Sequence, residues 1–373
     1  MKTGWQTKTL GEVIQLPYGK PLDPKDRNPN GLYPAYGANG EKDRTDKFYR
    51  DSPSIIVGRK GSAGEITLTE DRFWPLDVTY FVEFDRQQYD LQFLYYLLVT
   101  LDLPSLAKGV KPGINRNEVY ALPVSLPPLP EQQRIVTLLD EAFDGIATAK
   151  TNAEKNLQNA RAIFESHLQS VFTQRGEGWK DKTLEEISII FGRGKSRHRP
   201  RNEPKLYGGK YPFIQTGDVR NAGHFITEFS QTYSEAGLAQ SKLWPKGTIC
   251  ITIAANIAET GILAFDACFP DSVIGVVPNQ AEAEVGFVEY LLQSFKVRIQ
   301  AMGQGSAQAN INMGTFENER FPFPHVAEQT QIVVKLDELS EETQRLEFIY
   351  QQKITALDEL KKSLLHRAFN GAL

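Results

Sequence analysis

A stretch near the middle of the chain repeats its opening. "GWQTKTLGEV" spans residues 4–13 and "GWKDKTLEEI" spans 178–187, with Gly, Trp, Lys, Thr, Leu and Glu at the same spacing and Ile187 standing where Val13 stood. A second match is longer: "EQQRIVTLLDE" at 131–141 aligns without gaps to "EQTQIVVKLDE" at 328–338. That offset of 197 also pairs Leu168 with Leu365, Phe172 with Phe369, and "IN" at 114–115 with "IN" at 311–312. Self-similarity of this kind calls for two copies of one architecture. The offset grows from 174 to 197, so the second copy carries 23 more residues between its matching ends. Matching ends around unlike middles are expected of a duplicated scaffold with diverged recognition surfaces.

Each copy closes on a long helix. Leu139, Ala142, Ile146, Ala149, Ala153, Leu157, Ala160, Phe164, Leu168 and Val171 recur at alternating steps of three and four. This is the apolar spacing of a coiled coil. The second copy repeats it from Leu336 to Ala368, with Thr343 and Lys361 as the two departures. Prolines in "LPPLPEQ" and "FPFPHVAEQ" mark each helix start, because proline does not fit a helix interior. Each helix of roughly 43 residues would span about 65 Å. One apolar stripe of that length needs a partner, and the other copy supplies it if the two helices run antiparallel.

Composition narrows the function classes. With 40% hydrophobic and 24% charged residues, the 373-residue chain reads as an ordinary globular protein of two or three domains. It has no apolar run long enough to span a membrane, and its first residues lack the apolar stretch of a signal peptide. Cys250 and Cys268 form no metal-ligand spacing and read as small buried residues of a reducing cytoplasm. "GRGKS" at 192–196 imitates the tail of a phosphate-binding loop, but Ile189 stands where its first glycine should be. The five histidines form no triad or metal spacing, and no adenine-methyltransferase tetrapeptide of the Asn/Asp-Pro-Pro-aromatic type is present. Neither a cofactor nor a metal is expected, and nothing assembles into a hydrolase or nuclease centre.

Binding features are stronger. The stretches 14–126 and 188–322 alternate short β-rich runs with Gly, Pro and Asn turns, which points to α+β domains with curved or barrel-like sheets. In "GRGKSRHRPR", Arg193, Lys195, Arg197, Arg199 and Arg201 fall at every second residue, so an extended segment would set all five on one side. Such a row suits a phosphate backbone, whose counterions each contact releases. The first copy offers Lys20, Lys42, Arg44, Lys47, Arg59 and Lys60 around Gly-rich turns. "YGANG" at 36–40 and "QTGDV" at 215–219 each follow "YP" and read as corresponding turns, where Tyr36, Asn39, Thr216, Asp218 and the adjoining Arg220 could reach DNA. A net charge of −4 weakens this reading only slightly, since much of the acid sits on the helices. The alternative is a coiled-coil adaptor that joins protein partners and ignores DNA.

The order of Trp-led opening, variable domain, Pro-rich hinge, long helix and repeat resembles the DNA-specificity subunit of type I restriction–modification systems. "GWKDKTLEEI", "YPAYGANG", "YPFIQTGDV", "GINRNEVYALPVSLPPLPEQQRIV" and "LLHRAFNGAL" carry the resemblance, which covers the whole chain. The second hinge departs from the family's adjacent prolines. The resemblance implies target-recognition domains at 1–129 and 175–326 and spacer helices at 130–174 and 327–373. It further implies a non-catalytic cytoplasmic protein that reads a two-part, asymmetric double-stranded DNA site. Two methyltransferase subunits would dock on it, bringing S-adenosylmethionine and adenine-N6 chemistry, and a restriction subunit would join through them.

Overall fold

The computed structural model describes residues 4–69, 72–197, 200–254, 256–303 and 311–373. The chain forms two compact units, one of Met1–Glu154 with Gln351–Leu373 and one of Lys155–Tyr350. In the first unit the strands are β1 (Gln6–Thr9), β2 (Ile14–Gln15), β3 (Tyr33–Gly37), β4 (Gly40–Thr45) and β5 (Ile55–Gly58). They continue with β6 (Ile66–Leu68), β7 (Trp74–Pro75), β8 (Thr79–Phe81), β9 (Glu83–Phe84) and β10 (Pro123–Leu126). Helices α1 (Leu91–Thr100) and α2 (Arg116–Tyr120) precede the long α3 (Leu129–Thr173).

The second unit has β11 (Lys180–Lys182), β12 (Ser188–Arg193), β13 (Tyr207–Phe213), α4 (Thr216–Asn221), β14 (Phe225–Ile226) and β15 (Gln231–Tyr233). Next come α5 (Glu235–Ala239), β16 (Leu243–Trp244), β17 (Ile249–Thr252), β18 (Thr260–Leu263), β19 (Ala267–Cys268) and β20 (Val273–Pro278). The unit ends with α6 (Val285–Ser294), α7 (Lys296–Gly303), α8 (Met313–Glu317) and β21 (Phe321–Phe323), before the long α9 (Val326–Phe369).

The repeated motifs are structural joints. In "KTLGE", the backbone N–H and hydroxyl of Thr9 both donate to Glu12 Oε2, at 2.6 and 2.7 Å. In "KTLEE", Thr183 N–H donates to Glu186 at 2.8 Å and the Glu186 N–H donates back to Thr183 Oγ1 at 3.2 Å. Both are Thr-x-x-Glu capping arrangements. The opening strand then pairs antiparallel with the strand that precedes the long helix, β1 with β10 and β11 with β21. Trp179 Nε1 donates to Glu328 in the first turn of α9 at 3.0 Å, Trp5 packs on the first unit's core, and Leu10 and Leu184 are fully buried. The "IN" pair supplies helix caps: Asn115 Oδ1 accepts from Asn117 N–H at the start of α2, and Asn312 Oδ1 from Thr315 N–H at the start of α8.

The hinge glutamines tie each domain to its helix. Buried Gln132 accepts from Asp90 N–H at 2.9 Å and donates to the Gln88 and Pro127 carbonyls. Gln329 repeats all three bonds, to Glu284 N–H and the Glu282 and Pro324 carbonyls. Pro130 lies inside the first turn of α3 rather than ahead of it, where its missing N–H would have no helical partner in any case.

The two long helices run antiparallel within each unit. In the first, Lys150 Nζ meets Asp358 at 2.7 Å, and Lys361 Nζ lies 4.9 Å from the centre of the Phe143 ring. In the second, Arg161 Nε meets Glu347 at 2.8 Å. The two departures from the apolar stripe are accommodated locally. Buried Thr343 donates its hydroxyl to the Leu339 carbonyl one turn back, and Lys361 lays its stem over an aromatic ring.

The unlike middles share one topology. β5 lies between β6 and β8, and β17 lies between β18 and β20. β3 lies between antiparallel β4 and parallel β7, and β13 between antiparallel β15 and parallel β19. The second unit widens both sheets, with β12 and β14 at the edges of one and β16 at an edge of the other, and adds α4 and α5. Equivalent hairpins close alike: Gly64 N–H bonds the Gly58 carbonyl, and Ala258 N–H bonds that of Thr252. Both closing residues take positive φ, +87° and 62°. Phe93, Leu94, Leu97 and Leu98 of α1 join one core, and Phe287, Val288, Leu291 and Leu292 of α6 join the other. Each such side chain contributes about 1.5–3 kcal/mol by leaving water.

Candidate nucleic-acid interface

A Gly-Lys pair occupies the same place in both units. Gly19 N–H donates to the Thr79 carbonyl at 3.0 Å and Lys20 N–H to Pro75 at 2.8 Å. Gly194 N–H donates to Val273 at 2.9 Å and Lys195 N–H to Phe269 at 3.1 Å. Since β7 and β19 hold the same sheet position, these are equivalent bonds. Glycine is required because a Cβ at Gly19 would lie 2.1 Å from the Leu76 carbonyl oxygen, and one at Gly194 would lie 2.3 Å from that of Phe269. Close backbone approach thus sets both lysines, whose side chains are exposed.

In the first unit the basic groups gather at an aromatic ring. Tyr18 is 48% exposed and carries the Arg59 guanidinium at 5.2 Å and that of Arg116 at 5.0 Å from its ring centre. Arg59 Nη2 donates to the Asp77 carbonyl at 2.7 Å, and the Arg59 and Lys60 N–H groups both donate to Val78. The Lys60 side chain is exposed, and Lys20 Nζ lies 4.7 Å from the Tyr49 ring centre. Cations around a half-open aromatic form a platform on which a nucleic acid can be held. Tyr18 and Arg116 were not among the sequence candidates. The signal that could have found Tyr18 is its place immediately before Gly-Lys.

Tyr36 and Asn39 part company. Tyr36 is buried against Ile56, Phe73 and Phe81, so its ring is core and does not face a groove. Asn39 is exposed at the turn between β3 and β4.

In the second unit the basic row holds its alternation where it is described. Arg193, Lys195 and Arg197 are exposed while Gly194 and Ser196 between them are buried. Arg199 lies outside the described residues. Two members are engaged by Asp271: Arg193 Nε donates to its carbonyl at 2.8 Å, and Arg201 Nη2 to its carboxylate at 2.7 and 2.9 Å. The row therefore does not present five equivalent outward cations, because a distant acid folds back onto two of them.

The segment 215–219 is not a hairpin turn like 36–40 but the start of α4. Asp218 Oδ2 accepts from Gln215 N–H at 2.8 Å and from Ser230 Oγ at 3.3 Å, so the carboxylate caps the start of α4. Thr216 is half-buried in the first turn of that helix, and exposed Arg220 reaches Asn256 Oδ1 at 3.4 Å.

Other polar groups are satisfied internally. The fully buried Glu289 carboxylate meets His224 Nδ1 at 2.6 Å, Thr260 Oγ1 at 2.6 Å and Gln293 Nε2 at 2.7 Å. Cys250 and Cys268 are free and buried, and burial pushes both thiols above their ordinary range, away from thiolate chemistry. Among the described residues no group of three or more His, Cys, Asp or Glu is placed to hold a metal, and no helix is long and apolar enough to cross a membrane.

Comparison with known proteins gives the family and the fold. The family model described as "Type I restriction modification DNA specificity domain" matches residues 2–158 and again 176–356. The EcoDI specificity subunit of a type I restriction enzyme from Escherichia coli is 21% identical over 99% of this chain and 88% of its own length. The HsdS subunit from Thermoanaerobacter tengcongensis has the same fold at 20% identity, with a TM-score of 0.65 over all of this chain and 98% of that one. A chain from the complex assembly of a type I R-M system, also 20% identical, superimposes with a TM-score of 0.79 over all of this chain and 99% of that one. With both halves matched by one family model and the duplicated α+β fold shared, the chain belongs to the DNA-specificity subunits of type I restriction–modification systems.

Proposed function

We propose that this chain is the DNA-reading, non-catalytic member of a cytoplasmic restriction–modification complex and that it reads a two-part, asymmetric site in double-stranded DNA. Residues 1–129 and 175–326 act as the recognition domains, with 130–174 and 327–373 as the helices that set the unread gap. The observation that carries the reading is the repeated Gly-Lys lock, which offers one outward lysine from an equivalent backbone position in each unit. A lysine so held serves as a fixed phosphate contact that positions a domain without reading sequence. Unlike surroundings of the two lysines support unlike half-sites.

The helices serve as the platform for two adenine-N6 methyltransferase subunits, and a restriction subunit joins through them. Exposed Ile163, Val334, Phe348 and Ile349 on the second unit's helix segments, and Leu138 and Leu360 on the first's, support a surface made for partner chains. The partners bring the cofactor and extrude the target adenine, a step that needs a pocket of their own.

The test is selection from random-sequence duplex DNA by the complex reconstituted with its methyltransferase subunits. Enrichment of two short motifs at fixed separation is expected, and unselective retention of all duplexes would refute the reading.

A further inference from the structure

Each unit holds a small cleft beside its Gly-Lys lysine, and the two clefts are topological equivalents. The first encloses about 110 Å³ and the second about 270 Å³. Pro21 follows Lys20 into the first cleft, as Ser196 follows Lys195 into the second. Leu76, next to the carbonyl that holds Lys20, corresponds to Pro270, next to the carbonyl that holds Lys195. The facing strand agrees as well: Asp43 pairs with Ala35 on β3, and Gln231 pairs with Phe213 on β13. Since β3 and β13 each lie parallel to the strand that receives the lysine, Asp43 and Gln231 occupy the same position.

The frame is shared and the lining is not. The first cleft is lined by the charged side chains of Arg27, Lys42, Asp43 and Asp77, and Arg27 Nη1 lies 3.5 Å from Asp43 Oδ2. The second is lined by the carboxamides of Asn202, Gln215 and Gln231, of which Gln215 caps α4 while Asn202 and Gln231 are exposed. Among the described residues its cation is Arg201, whose Nη2 meets the Asp271 carboxylate at 2.7 Å. An equivalent position beside a phosphate-directed lysine, with diverged hydrogen-bonding chemistry, is where two recognition domains should differ.

We propose that these clefts are the base-reading sites of the two domains, the first taking a G·C pair through Arg27 and Asp43 and the second an A·T pair through Asn202 and Gln231. Guanine offers two major-groove acceptors to a guanidinium while cytosine offers an amino donor to a carboxylate, so one charged pair matches one G·C edge. Adenine presents an acceptor beside a donor, the pattern a carboxamide complements. The inference rests on the DNA-reading function proposed above and adds which residues read and what they read.

The experiment maps methylated adenines in DNA treated with the complex carrying Asp43→Asn or Gln231→Glu, both near-isosteric, beside the unaltered complex. Asp43→Asn should relax one G·C position of one half-site about tenfold or more, and Gln231→Glu should do so at one A·T position of the other half-site. The gap and the remaining positions should stay unchanged. Unaltered specificity in both variants would overturn the inference and leave the DNA-reading function standing. Changes confined to the same half-site, or loss of all methylation by variants that still co-purify with the methyltransferase, would overturn it too. An unaltered complex that modifies no two-part site would remove the DNA-reading function beneath it.

Discussion

Lys195 donates its backbone N–H to the Phe269 carbonyl at 3.1 Å, and Lys20 makes the equivalent bond to Pro75 at 2.8 Å. The chain thus presents a lysine twice from one frame. If both serve as phosphate contacts, Lys20→Ala and Lys195→Ala should each weaken DNA binding by the complex for cognate and random duplex alike. Each should also lower the slope of log K against log salt by about 1. Titration between 50 and 200 mM salt checks this, and a loss restricted to cognate DNA would assign the lysines to base reading instead.

The glycines before them should tolerate no side chain. Gly19→Ala and Gly194→Ala drive a methyl into a backbone carbonyl that cannot rotate away. Each should cost about 1–3 kcal/mol as overpacking strain, read by denaturant unfolding, and should displace the lysine that follows. A variant of unchanged stability would mean that the strand yields at that point.

The hinge glutamines should be stability determinants. Gln132→Leu leaves the Gln88 and Pro127 carbonyls and the Asp90 N–H without their partner, and Gln329→Leu does the same in the second unit. Stranded buried groups of this kind cost about 1–3 kcal/mol each. Each variant should lower its own unit's unfolding transition, seen as a lower midpoint in denaturant.

Two buried tyrosines set an alkaline limit. Tyr96 donates to Asp140 at 2.5 Å and Tyr290 to Asp337 at 2.7 Å. Burial first, and then these carboxylates, push both phenols well above their ordinary value near 10. A group whose folded pKa is raised holds its proton more tightly in the native state. Its stabilisation is therefore complete below the unfolded pKa and is lost as pH climbs past it. Unfolding free energy should stay level in this respect up to about pH 9 and fall above about pH 10. Tyr96→Phe with Tyr290→Phe should flatten that fall.

The parts of the fold that were legible in the sequence are those set by local chemistry. The apolar stripe that forecasts the long helices has every position from Leu139 to Val171 at least half-buried in α3, and the repeated "TL" and "IN" motifs fall at equivalent joints of the two units. What escaped depends on partners far along the chain. Asp271, seventy residues beyond Arg201, takes up two of the five cations of the basic row. The segment 215–219 reads as a turn until α4, which Asp218 caps, is seen, and Tyr36 reads as a surface ring until Phe73 and Phe81 close around it. The base-reading clefts could not be seen in advance, because Asp43 and Gln231 become equivalent only through strand register.

The central claim is that one chain reads two unlike half-sites. Its most direct test is to co-express the chain with its methyltransferase subunits and map every N6-methylated adenine in the host DNA. A two-part asymmetric motif with a fixed unread gap is the predicted result. Methylation at one continuous or palindromic motif, or at adenines without a shared context, would contradict it.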